Sequence, residues 1–208
     1  MRVSLPAAAL VAAALGLSAY TSGGGGPGAA ASGRPASSSA AGKVGERSFE
    51  LVGYPTRTAA VPEQPLAAGP TTFPGLELGV SVVRRTEQAV LVVFGLHNTG
   101  TSERIAGFSG SSLGKRLPFD NTVGGVSLVD TAGLRQYLVL RPADPDHPGQ
   151  ALTSGPCACS AIVGSEQATF PRDEVRYFAA LVTAPPAGVG KVSFVSPIGT
   201  VAGLSIDG

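Results

Sequence analysis

The sequence predicts an all-β protein: an antiparallel β-sandwich of seven to nine strands behind an export signal and a flexible linker. Three observations predict it. Short runs of β-branched and aromatic residues alternate with polar ones at a period of two, and Gly/Pro clusters separate these runs. Past the N-terminus, no segment carries the i, i+3, i+4, i+7 apolar stripe of an amphipathic helix. Many short strands punctuated in this way imply a sandwich, with a small barrel as the second choice.

Residues 1–19 read as the signal peptide. Met1-Arg2 gives a charged start, Val3 to Leu17 an apolar run, and Ser18-Ala19 small residues for cleavage. The run is mostly alanine and falls short of the roughly 20 strongly apolar residues that a spanning helix needs. No stable membrane span is therefore expected after cleavage. Leu17-Ser18-Ala19-Tyr20 is a degenerate lipobox: tyrosine stands where a bacterial lipoprotein has the cysteine that receives the lipid, and a phenol does not replace that thiol. Residues 20–45 are Gly, Ser, Ala and Pro with few bulky apolar side chains. They are expected to form a disordered linker, because they bury too little to offset the entropy of ordering.

Residues 46–208 are the predicted sandwich. Ser48 to Val52 suits a short strand, after which prolines 55, 62, 65, 70 and 74 argue against a long regular element. Leu76, Leu78, Val80 and Val82 alternate with Glu77, Gly79 and Ser81, the pattern of a strand with one buried face. Arg84 to Gln88 is a polar turn. Ala89 to Leu96 is apolar on both faces, as a central strand is, and His97-Asn98-Thr99-Gly100 closes it with turn residues. Thr101 to Thr122 is irregular, with room for one helical turn.

Gly125 to Val129, Asp130 to Gly133 and Leu134 to Leu140 read as strand, four-residue turn and strand of a hairpin. Arg141 to Pro156 is a long loop. Short strands are expected at Ile162-Val163 and Ala168-Thr169-Phe170, and a strong one at Val175 to Thr183. Pro185 to Gly188 is a turn, and Lys191 to Val195 and Gly203 to Ile206 complete the sheet. Tyr177, two residues before Ala179 near the start of a late strand, matches the tyrosine corner of immunoglobulin-like sandwiches; the plain alternative is a half-buried strand tyrosine.

These pieces also resemble an uncharacterised immunoglobulin-like domain of actinobacterial secreted proteins and lipoproteins. The likeness runs from about Gly75 onward. It is carried by the strand ending in Asn98-Thr99-Gly100, the Val126-to-Asp130 hairpin with Gly133 and Tyr137, Cys157-Ala158-Cys159-Ser160, and Ala184-Pro185-Pro186-Ala187-Gly188-Val189. In that family the domain sometimes precedes an outer-membrane-protein-A-type peptidoglycan-binding domain. The sequence departs from the pattern at Tyr20 and in having no such domain before Gly208. The resemblance implies an immunoglobulin-like fold and an envelope or extracellular location, and no established chemistry.

Composition narrows the function classes. Roughly 160 residues beyond the linker suffice for one domain with a hydrophobic core. Loss of Arg2 with the signal leaves fourteen basic and fourteen acidic side chains, so the chain lacks the basic footprint of a nucleic-acid binder. The same balance gives no electrostatic attraction to an anionic membrane surface.

Cys157 and Cys159 are the only cysteines, and an exported protein matures where disulfides persist. Their Cα atoms, two residues apart in a bent chain, fall within bridging reach at about 5.5–7 Å. Three fates stand open: a structural pin after Gly155-Pro156, a redox pair, or free or intermolecular thiols. No third cysteine, nearby histidine or thioredoxin-like βαβ pattern accompanies them. Asp144-Pro145-Asp146-His147 offers metal donors but no spaced partner set, and reads as a solvated loop. His97 reads as a turn residue. No Gly-x-Ser-x-Gly elbow is present, and Ser109-Gly110-Ser111-Ser112 lacks the lysine and helix of a phosphate loop. No catalytic, metal or cofactor-binding residue is assigned.

The expected function is therefore that of a secreted, extracellular or cell-envelope domain without enzymatic activity, binding an envelope or extracellular protein or glycan. The second face of the central strand, at Leu91 and Val93, is either a contact surface or covered by a loop. The alternative function is a small extracellular thiol-disulfide redox protein using Cys157 and Cys159.

Overall fold

Period-two patterning becomes ten strands among the described residues, paired antiparallel throughout. The computed structural model describes residues 43–114, 120–152, 156–162 and 169–207. The signal peptide expected at 1–19, the linker through residue 42, and Val163 and Ala168 of two expected short strands lie outside them.

Strands β1 (Val44–Phe49) and β2 (Arg57–Pro62) form a hairpin of their own. Strands β3 (Ala67–Pro70), β4 (Leu76–Arg85), β5 (Ala89–Asn98) and β8 (Val175–Thr183) form one sheet in the order β3-β4-β5-β8. Strands β6 (Ser127–Asp130), β7 (Arg135–Leu138), β9 (Lys191–Ser196) and β10 (Gly199–Ser205) form the other, ordered β10-β9-β6-β7. The irregular stretch holds one 3₁₀ turn, Gly110–Leu113. The two four-stranded sheets sandwich a shared core.

Three strands exceed or shift the expectation in the proline-rich segment. Pro62 ends β2 and Pro70 ends β3, which is an edge strand, so neither ring removes a donor from the middle of a sheet. β1 takes in Val44 and Gly45, which the sequence assigned to the linker, because they pair with Pro62 and Val61.

The larger core lies between the sheets. Leu78, Val80, Phe94, Leu96 and Val182 meet Leu128, Phe194, Val201 and Leu204 from the opposite sheet. Phe94 anchors it, with ring centroids 4.9 Å from Phe194 and 5.6 Å from Phe178. Burying each such ring stabilises the fold by roughly 1.5–3 kcal/mol.

A smaller core lies on the outer face of the β3-β4-β5-β8 sheet. Leu91, Val93, Ala179 and Leu181 are covered there by Phe49, Leu51, Ala59 and Val61 of the β1–β2 hairpin region and by Ala158. That settles the apolar second face of the central strand: Leu91 and Val93 are 3% and 0% exposed, and the hairpin covers them.

One irregularity feeds both cores. The β4–β5 register shifts between Val80 and Val82, so Ser81 is the extra residue of a bulge. Before it, Leu76, Leu78 and Val80 face the sandwich. After it, Val83 does, and Val82 turns to the hairpin layer. The even alternation read from the sequence through Val82 is corrected accordingly.

Candidate functional site

The site begins with a short segment that accompanies β8. Cys157 and Cys159 are bridged, with Cα atoms 5.2 Å apart. Both face the sandwich core with no exposure, while Ala158 faces the hairpin layer. Alternation of sides across three residues is that of a strand. The pairing agrees: the Leu181 N–H donates to the Ala158 carbonyl (2.7 Å), and the Ser160 N–H donates to the Ala179 carbonyl (2.8 Å). On the far side the Val52 N–H donates to the Cys159 carbonyl at 3.0 Å, and Leu51 bridges Ser160.

The segment leaves β8 immediately afterwards. The Ile162 N–H donates to the Asn121 carbonyl (2.6 Å) and Ala161 bridges Thr122, so the chain crosses to another loop. A groove of about 1050 Å³ opens at that divergence. Arg47, Ser48 and Glu50 line one wall, Val175 and Tyr177 the other, and Ser160 and Ala161 its inner end. The Arg47 guanidinium reaches across to sit 5.3 Å from the centre of the Tyr177 ring.

Tyr177 owes its place to Gly95, its cross-strand neighbour: a Cβ on Gly95 would come within 2.6 Å of Val175 and 3.3 Å of the Tyr177 ring. Among the described residues its hydroxyl makes no hydrogen bond back to the chain, and its ring packs at the groove wall. The half-buried strand tyrosine describes it better than a tyrosine corner.

The other candidates disperse. Asp144 is held by His147, whose Nδ1 lies 3.0 Å from Oδ2, and by the Asp146 N–H at 2.9 Å on Oδ1, so the triplet is a self-contained turn. His97 lies 3.9 Å from Glu77 across the β4–β5 ladder, beside a recess of about 200 Å³ that Glu63 also lines. Among the described residues, no three His, Cys, Asp or Glu side chains are grouped to hold a metal. Ser112 is turned inward locally, its hydroxyl accepting the Ser109 N–H at 2.9 Å.

Two polar features are buried in a way that no local sequence pattern marks. Asp120 and Arg141 form an ion pair at 3.5 Å with side chains 4% and 3% exposed, and Thr122 donates its hydroxyl to Asp120. Asn98 is fully buried, donating to the carbonyls of Ser102 (2.8 Å) and Phe170 (2.6 Å) and accepting the Gly100 N–H (3.0 Å). Both brace loops and present no open chemistry.

The buried bridge bears on redox chemistry. Thiol–disulfide exchange needs a thiolate to approach a sulfur, and neither cysteine has exposed surface. Exchange there requires local opening of the segment from β8.

No family model, no curated protein and no solved structure matches this chain.

Proposed function

We propose that the chain is an exported, non-enzymatic binding domain of the cell envelope or extracellular space, taking its ligand in the groove between β1 and β8. The groove carries this reading: about 1050 Å³, walled by aromatic rings and by charges of both signs from Arg47, Glu50, Glu174 and Arg176. Such mixed walls suit recognition of a polar macromolecule. The bridge between Cys157 and Cys159 accords with maturation in an oxidising compartment. The sequence pattern of residues 1–19 and the immunoglobulin-like resemblance point the same way.

Two measurements test it. Intact mass of the chain recovered from culture medium and envelope should start near Tyr20, lack lipid and be two hydrogens short of the dithiol; a chain confined to the cytoplasm with its signal intact would overturn export. The full chain, immobilised, should capture envelope components that a Glu50→Trp variant, its groove filled, does not. Equal capture by both variants would remove the groove from the binding role.

A further inference from the structure

Resting on the binding role assigned above, we propose that the groove takes an extended peptide segment of another exported protein, which pairs with the Val175–Tyr177 edge of β8 as an added strand.

The direction of the main-chain groups carries the inference. Ala179 and Leu181 turn theirs away from β5: the Ala179 carbonyl accepts from Ser160 (2.8 Å), the Leu181 N–H donates to Ala158 (2.7 Å), and the Leu181 carbonyl accepts from Leu140 (2.8 Å). A strand repeats every two residues, so Tyr177 and Val175 turn their N–H and C=O groups to that same side. There the accompanying segment has already left, at Ala161 and Ile162. Among the described residues nothing pairs with these outward groups of Val175 and Tyr177.

The opposite wall is built in the same way. The Glu63 N–H donates to the Lys43 carbonyl (2.8 Å), which sets the odd-numbered residues of β1 toward β2 and the even-numbered ones away from it. Val52 follows that parity in donating to Cys159 at 3.0 Å. Ser48 and Glu50 therefore direct main-chain groups into the groove.

What fills such a slot is visible a few residues along it. Ala158 to Ser160 lie as an extended segment between Ala179–Leu181 on one side and Leu51–Val52 on the other. The groove continues that slot past the point where the chain turns off. Its walls offer donors and acceptors at the spacing of a strand, the complement of an extended main chain. The flanking charges, Arg47 and Arg176 against Glu50 and Glu174, favour neither sign. Main-chain pairing thus sets the affinity, and Tyr54 and Tyr177 contact alternate side chains of the peptide.

The test uses the full chain and a random dodecapeptide display library, with selected peptides resynthesised. Binding should weaken at least about tenfold in Val175→Pro, which removes an outward N–H at the first residue of the strand, where proline is tolerated. It should weaken likewise in Glu50→Trp, which fills the groove from the other wall. N-methylation should abolish binding at peptide residues whose N–H meets Val175 or Tyr177 and weaken it at the residues between them, whose N–H meets the Ser48 and Glu50 wall, and should have no effect at residues beyond the groove. In hydrogen exchange, the Val175 and Tyr177 amides should be unprotected in the free chain and protected by peptide.

Peptides that bind both variants as tightly as the parent chain, or that tolerate N-methylation throughout, would overturn strand addition and leave the binding role standing. Selection of no peptide while envelope capture persists would do the same. Protection of both amides in the free chain would mean that a second copy or another segment of this chain fills the slot, and would overturn the proposal. Absence of both peptide selection and envelope capture would overturn the binding role with it.

Discussion

Ser160 and Ala179 exchange two hydrogen bonds of different kinds: the Ser160 N–H donates to the Ala179 carbonyl at 2.8 Å, and the Ser160 hydroxyl accepts the Ala179 N–H at 3.0 Å. A side-chain oxygen thus stands where the next main-chain carbonyl of a regular ladder would be. The serine is the last rung of the segment beside β8, and its hydroxyl allows the chain to turn away without stranding a buried donor.

Ser160→Ala leaves the buried Ala179 N–H without its acceptor. The expected loss is about 1–3 kcal/mol, read as a lower urea midpoint at unchanged slope. A change near zero would mean that the hydroxyl does not satisfy that donor.

The Cys157–Cys159 bridge closes a very short loop, so its removal in a Cys157→Ala/Cys159→Ala variant should cost only about 1–2 kcal/mol. Its burial makes a sharper prediction. Reduction by dithiothreitol should track global or segmental unfolding as urea is raised, with the native bridge protected. Immediate reduction of the folded protein would contradict the buried geometry and revive redox chemistry at this pair.

Asp120→Ala removes one partner of a buried ion pair and leaves the Arg141 charge in a desolvated site. The expected destabilisation is about 3–5 kcal/mol, and replacing both residues by apolar ones of similar volume should recover much of it. Chemical denaturation of the single and double variants measures both.

Tyr137 is buried in the sandwich core, and its hydroxyl meets no hydrogen-bond partner among the described residues. Tyr137→Phe deletes that stranded group and keeps the ring. Stability should be unchanged or higher by about 1 kcal/mol. A clear loss in thermal or urea unfolding would show that the hydroxyl is bonded in solution.

The strands that sequence alone revealed are those whose patterning is local. β5 is apolar on both faces because a layer packs on each, and the β6–β7 hairpin follows from its turn, where Asp130 accepts the Ala132 and Gly133 N–H groups at 3.0 Å each. β2 and β3 were hidden by proline, whose effect depends on whether it ends a strand or interrupts it. The Ser81 bulge was hidden because an extra residue changes which face a side chain takes without changing composition. The groove was illegible for another reason: Arg47 and Ser48 come from the first strand and Tyr177 from the eighth, and no local pattern encodes that meeting. The one sequence trace was Cys-Ala-Cys, which marked the segment at the groove's inner end and not the groove itself.

The bulge at Ser81 divides the constraints on β4. Up to Val80 its inward side chains answer to the sandwich alone, whereas Val82 answers to the β1–β2 hairpin laid over the outer face. The two halves of one strand thereby answer to different layers, and the hairpin packs on Val82 while Leu76, Leu78 and Val80 pack in the sandwich. Since that hairpin also supplies one wall of the groove, what the groove accepts can change by remodelling the layer while the sandwich beneath it stays the same.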